Sequence, residues 1–266
     1  MRQPLQPFRT SAEDSVSHWL ACLVVWAVLN LLLFACQEDQ LDWKIARKVD
    51  AVTVRAYQPL SISGKNGQIL QARFLPPRQT DSPVPLVVFL HGAGERGDDN
   101  MQQLQTLPTQ LFRSPAFTGS VLAPQCPSGM FWGACMPELE ALIERTIREH
   151  HIDPQRVYLT GFSMGGYGTW ELAARRPDLF AAVVPICGGG EMKWAPSLKK
   201  VPLWAVHGAD DKTIPPQRSR DMIQAVQSAG GTPRYTEFPG IGHDSWHSAY
   251  DLSSGILTWM FQQRRQ

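Results

Sequence analysis

Five short apolar runs constrain this chain more than any other feature: residues 86–90 (LVVFL), 121–123 (VLA), 157–159 (VYL), 181–186 (AAVVPI) and 201–206 (VPLWAV). A strand with one solvated face alternates polar and apolar residues, whereas a continuous run requires cover on both faces, as in a parallel sheet flanked by helices. Helical segments fall where such a sheet needs them. The clearest spans residues 137–150, with Leu139, Leu142, Ile143 and Ile147 on one face and a proline suited to a first turn. Residues 163–175, 216–229 and 245–262 read as further helices. Upstream, residues 49–57 and 68–74 do alternate, and the turn-forming SGKNG at 63–67 predicts an antiparallel hairpin between them. The expected fold class is α/β: one domain over roughly 45–266, a mostly parallel, doubly wound sheet with an antiparallel opening hairpin. Only about fourteen residues separate the runs ending at Ile186 and beginning at Val201, so no large cap is expected there.

Composition removes several classes of function. A net charge of +1 with both signs dispersed offers no basic face for nucleic acid. No zinc-type Cys/His spacing, phosphate-binding loop or dinucleotide fingerprint is present, so neither metal nor organic cofactor is expected.

The N-terminus has a different character. From Trp19 to Cys36 only Asn30 interrupts an uncharged apolar run, long enough to span a bilayer or to act as an export signal. Its end, Leu33-Phe34-Ala35-Cys36 followed by QEDQ, resembles the cleavage and acylation site of bacterial lipoproteins, with the bulk of Phe34 a departure from that pattern. Residues 1–36 therefore read as a signal peptide, a lipoprotein signal or an N-terminal anchor. Membrane association through this segment or a lipidated Cys36, on the periplasmic or extracellular face, is the expectation. Export would place Cys126 and Cys135 in an oxidising compartment, close enough in sequence to bridge a loop or to remain two thiols.

The chemistry concentrates at the ends of the apolar runs, where loops of a parallel sheet converge. LTGFSMGG places Ser163 between glycines, after a strand and at the start of a helix, the context of a nucleophile held on a tight turn. The Met164 amide can then face a developing oxyanion. A serine hydroxyl needs a base. Of seven histidines, His243, in the late loop GIGHD, is the candidate; His91 and His207, each ending a strand, read as structural. HGADD supplies Asp210 and Asp211 at another strand end, and the order Ser163, Asp, His243 is that of α/β-hydrolases.

These stretches, with FLHGAGERGDDN (89–100), LAPQCP (122–127), PICGGG (185–190) and VHGADDKTIP (206–215), resemble secreted α/β-hydrolases of the phospholipase/carboxylesterase and predicted-peptidase kind, related to polyhydroxybutyrate-depolymerase-like and feruloyl esterases. The resemblance covers about 180 residues and implies a Ser163–His243–Asp211 triad, with Asp211 rather than Asp210 as the acid. It also implies an oxyanion hole from Met164 and Ala93, with Gly92 as the alternative to Ala93, and Glu95 and Arg96 as a loop-shaping ion pair. The expected reaction is hydrolysis of a small-molecule or polymeric carboxylic ester. Loop residues Trp132, Trp194 and Trp246 are candidates for substrate contact, and packing onto the sheet is the other reading of each. Cys187 reads as a small buried residue. A prolyl-oligopeptidase-like peptidase and a non-catalytic binding module are the competing functions.

Overall fold

The computed structural model describes residues 55–64, 67–77, 81–108 and 118–265. The N-terminal run 19–36 and the predicted strand residues 49–54 lie outside them. Among the described residues no helix is long and apolar enough to cross a membrane.

Eight strands form one sheet: β1 (Gln58–Ser63), β2 (Ile69–Leu75), β3 (Val84–Leu90), β4 (Ser120–Gln125), β5 (Ile152–Phe162), β6 (Ala182–Ile186), β7 (Trp204–Gly208) and β8 (Arg234–Phe238). Their spatial order is β1-β2-β4-β3-β5-β6-β7-β8. The pairs β1/β2 and β2/β4 are antiparallel and every later pair is parallel. The first strand begins later than the alternation predicts: Arg55 and Ala56 are helical, and pairing runs from Gln58↔Phe74 to Ser63↔Ile69. A hairpin's arms must flank its turn directly, so the pairing starts from the turn and places the strand next to it.

The continuous apolar runs are explained by the period of two along a strand. In β3, Leu86, Val88 and Leu90 join one core cluster while Val87 and Phe89 join the other, on the opposite face. The first face is covered by α1 (Met136–Glu149), α2 (Met164–Arg175), α3 (Ala195–Leu198) and α4 (Gln217–Ser228), and the second by α5 (Trp246–Tyr250) and α6 (Ile256–Gln262). The last two are read from sequence as one helix. Asp251 breaks it by accepting the Ser253 amide at 2.8 Å, and Gly255 follows in the left-handed region at φ 73.

Between β6 and β7 there is only a single 3-10 turn, Met192–Trp194, and the four-residue α3, so no helical cap covers the strand ends on that side. Cys126, Cys135 and Cys187 are free thiols, all buried. Leu142 on α1 is fully buried in the first cluster. Leu142→Ala is expected to cost about 2–5 kcal/mol. In a urea titration this appears as a lower midpoint at unchanged slope.

Candidate active site

Ser163 sits at the junction of β5 and α2 with φ 54 and ψ −120, a backbone conformation that L-residues rarely adopt. Its surroundings force the turn. A Cβ on Gly161 would lie 2.6 Å from the Leu90 carbonyl oxygen and 2.7 Å from that of Gly165, and one on Gly165 would overlap the Leu90 carbonyl outright. The end of β3 thus runs against the turn backbone to backbone. The Ser163 N–H is tied to the Ile186 carbonyl at 3.0 Å and faces the Cys187 sulfur at 3.3 Å. These anchors hold the strain, which is of order 1–3 kcal/mol for such a residue.

The structure brings the three residues singled out in sequence into one hydrogen-bonded line. His243 Nε2 lies 2.9 Å from Ser163 Oγ, and His243 Nδ1 lies 2.8 Å from Asp211 Oδ2. The second Asp211 oxygen accepts the N–H groups of Thr213 and Ile214, both at 2.9 Å. Burial would raise this carboxyl, but His243 and the Ile214 and Thr213 amides outweigh it and hold Asp211 below the usual carboxylate range. Asp210, its neighbour, is exposed. The Asp211–His243 contact orders the imidazole with Nδ1–H toward the carboxylate and Nε2 free to accept from Ser163. The loop carrying His243 is seated on Gly208, where a Cβ would overlap the carbonyls of Ile241 and Gly242.

The two amides that the sequence offers to an oxyanion each open a helical turn. Met164 opens α2 and Ala93 opens a 3-10 turn, Ala93–Glu95, at the end of β3, so both N–H groups lack a helical acceptor. The Ala93 loop is built on His91. His91 Nε2 accepts the Cys126 amide at 2.9 Å, so Nδ1 carries the proton and donates to the Gly92 carbonyl at 2.6 Å. Burial lowers this imidazole to about 4 and keeps it neutral. Trp132 Nε1 donates to the His91 carbonyl at 3.1 Å, and the two rings meet edge-on at 5.0 Å.

Two sequence expectations are corrected here: Trp132 as a substrate contact and the Glu95–Arg96 ion pair. Trp132 is 1% exposed and supports the Ala93 loop from inside, so it offers no surface to a substrate. Trp194 is half-buried and packs over Gly190. Trp246, partly buried, stacks on Phe162 at 4.4 Å and meets His243 edge-on at 5.8 Å, bracing the residue before Ser163 and the imidazole itself. Glu95 and Arg96 do not form the expected ion pair. Arg96 turns outward, donating to the carbonyls of Ala93 at 3.0 Å and Met130 at 3.3 Å and lying over the exposed Phe131 ring. Glu95 turns inward, and its Oε2 is buried without a hydrogen-bond partner. Sequence reasoning passes over Tyr167, one helical turn after Ser163 and 37% exposed. It also misses His207, which lies 3.2 Å from Asp211 Oδ2; the signal available was the spacing of four between them. Among the described residues no cluster suited to a metal ion occurs.

The Glu95 carboxyl has a thermodynamic consequence. Burial raises it from 4.5 to about 7, partly offset by the amides of Gly92 and Glu95 itself. The unfolded chain gives up this proton more readily than the folded one, so the penalty is absent below about pH 4.5, grows as pH rises and is complete above about 7. Glu95→Gln removes the penalty. The variant is expected to match the parent's urea midpoint at pH 4 and to exceed it at pH 8, by on the order of 3 kcal/mol at most.

Residues 129–250, which include Ser163, Asp211 and His243, match the family model described as the dienelactone hydrolase family. The "Probable carboxylesterase SOBER1-like" protein of Arabidopsis thaliana is 28% identical over 192 residues, 59% of this chain and 71% of its own length. Poly(3-hydroxyalkanoate) depolymerase C of Paucimonas lemoignei is 29% identical over 260 residues, covering 78% of this chain and 60% of its own length. A crystal structure of a thermostable esterase superposes with a TM-score of 0.74 at 33% identity, covering 80% of this chain and 64% of that one. The chain thus spans less than two thirds of the depolymerase and of the thermostable esterase. The sheet order and these similarities together give the chain the α/β-hydrolase fold, and the relatives it resembles are named as ester hydrolases.

Proposed function

We propose that this protein is a serine carboxylesterase working through Ser163, His243 and Asp211 and an acyl-enzyme. The observation that carries the reading is the unbroken line from Ser163 Oγ through His243 to Asp211, at 2.9 and 2.8 Å, on a turn that presents the serine. His243 Nε2 takes the Ser163 proton as Oγ attacks the ester carbonyl carbon. The carbonyl oxygen becomes an oxyanion and accepts hydrogen bonds from the amides of Met164 and Ala93. Collapse breaks the ester C–O bond, and the departing alkoxide takes the proton from His243 Nε2. Water, deprotonated by the same nitrogen, then attacks the acyl carbon and releases the acid, restoring Ser163. Asp211 stays ionised throughout and stabilises the imidazolium.

The ester can be large. No helical cap stands between β6 and β7, and Phe131, 64% exposed, and Tyr167, 37% exposed, adjoin the Ala93 loop and the nucleophile's helix. One relative is named poly(3-hydroxyalkanoate) depolymerase C, which fits a site with no helical cap between β6 and β7 acting on a polymeric ester. The apolar run 19–36 supports placement outside the cytoplasm, tethered by that segment or by a lipidated Cys36.

The test is hydrolysis of p-nitrophenyl esters from acetate to palmitate, and of a feruloyl ester, by the full chain and its Ser163→Ala variant. Loss of at least about 10³-fold in kcat is expected. Equal rates for the two proteins would overturn the reading, and a folded parent inactive on every ester but active on peptide amides would move it to the peptidases.

A further inference from the structure

Asp211 Oδ2 is shared by two imidazoles. His243 Nδ1 approaches it at 2.8 Å, and His207 Nε2, near the end of β7, approaches at 3.2 Å, with the side chains of His207 and Asp211 both fully buried. The His207 ring is held on its other side too. Its Nδ1 lies 2.8 Å from Ser219 Oγ on α4, which lies 3.1 Å from the Gly188 carbonyl, and the Gly188 backbone packs directly against Gly166 in the nucleophile's helix.

The protonation state follows from the partners. Nε2 faces only acceptors, the Ile214 carbonyl at 2.9 Å and Asp211 Oδ2, so it carries a ring proton, while the Ser219 hydroxyl donates to the Gly188 carbonyl and lies beside Nδ1. Burial holds His207 below the usual histidine range. A histidine serving packing alone is already satisfied by Ile214 and Ser219. The contact with Asp211 is additional, and it falls on the oxygen that His243 uses rather than on the one occupied by the Thr213 and Ile214 amides.

We propose that His207 is a positioning residue: by donating Nε2–H to the Asp211 oxygen that also receives His243, it fixes the carboxylate's rotation and draws off part of its charge. The proposal rests on the triad reading above. A carboxylate relieved of part of its charge holds the His243 imidazolium less tightly. The other ionisable groups around the pair are few. Glu237 pairs with His207 in register on β8 and is engaged by Arg220, while Asp244, Cys187 and Tyr167 lie near Asp211 and His243. None of these donates a hydrogen bond to Asp211.

His207→Phe keeps a ring and removes the donor, and His207→Gln keeps an N–H. The measurement is the pH profile of kcat/KM for an ester on the full chain, beside the Ser163→Ala control. His207→Phe is expected to move the acid limb upward by about half a unit to one unit and to lower kcat about tenfold with KM little changed. His207→Gln is expected to restore most of both. Ser219→Ala, which unties the far side of the ring, moves the limb in the same direction by less, and it decides the matter if His207→Phe does not fold. Inactivity of Ser163→Ala together with an unmoved acid limb in His207→Phe, or in Ser219→Ala where the former is unfolded, overturns the proposal and leaves the triad standing. Full activity in Ser163→Ala overturns both.

Discussion

The site depends on two stretches of backbone meeting without side chains between them. At the end of β3 the Leu90 carbonyl lies where a Cβ on Gly161 or Gly165 would have to be. Contact at that distance fixes the height of the turn relative to the sheet, and the turn's height fixes where Ser163 Oγ emerges. The same crowding sets the neighbouring loop, because the residues that follow Leu90 are His91 and the Ala93 amide. One steric fact therefore places Ser163 and the Ala93 amide in a common frame. A carbonyl cannot rotate away from such contact without breaking its strand, so the frame is stiff in a way a side-chain contact would not be.

Around that frame the protein uses buried histidines as fasteners. His91 is neutral with Nδ1–H directed at the Gly92 carbonyl and Nε2 accepting from the Cys126 amide. His207 does the equivalent at the end of β7, between Ile214, Asp211 and Ser219. Each sits at a strand's end, where backbone amides and carbonyls leave the sheet ladder and need partners. An imidazole with one donor and one acceptor, short and rigid, closes two such positions at once.

Much of this was legible in the sequence. The parallel order of the later strands followed from runs buried on both faces, and Ser163, the Asp210–Asp211 pair and His243 from their positions after strands, the family resemblance alone preferring Asp211. Less legible were features set by contacts distant in the chain. Trp132 looked like a loop tryptophan free to meet a substrate; its burial depends on His91, 41 residues away. Glu95 and Arg96 looked like a pair because opposite charges adjoin, yet successive side chains in a tight turn diverge, and one went to the core and the other to Phe131. The opening strand was placed too early because the alternation in 49–57 carries no information on where a hairpin partner lies. The break at Asp251 and Gly255 was visible in residue type but outweighed by the apolar content around it.

The base arrives last. Ser163 and Asp211 are complete once β7 and its loop exist, whereas His243 follows β8, the sheet's final strand, and is steadied by Trp246 at the head of α5. During synthesis, which proceeds from the N-terminus, the sheet up to β7 can assemble with its serine already on the turn and no imidazole to activate it. Under the proposed triad, the nascent chain gains its base only when its last helices have docked, and a chain broken off before residue 243 carries the serine without it.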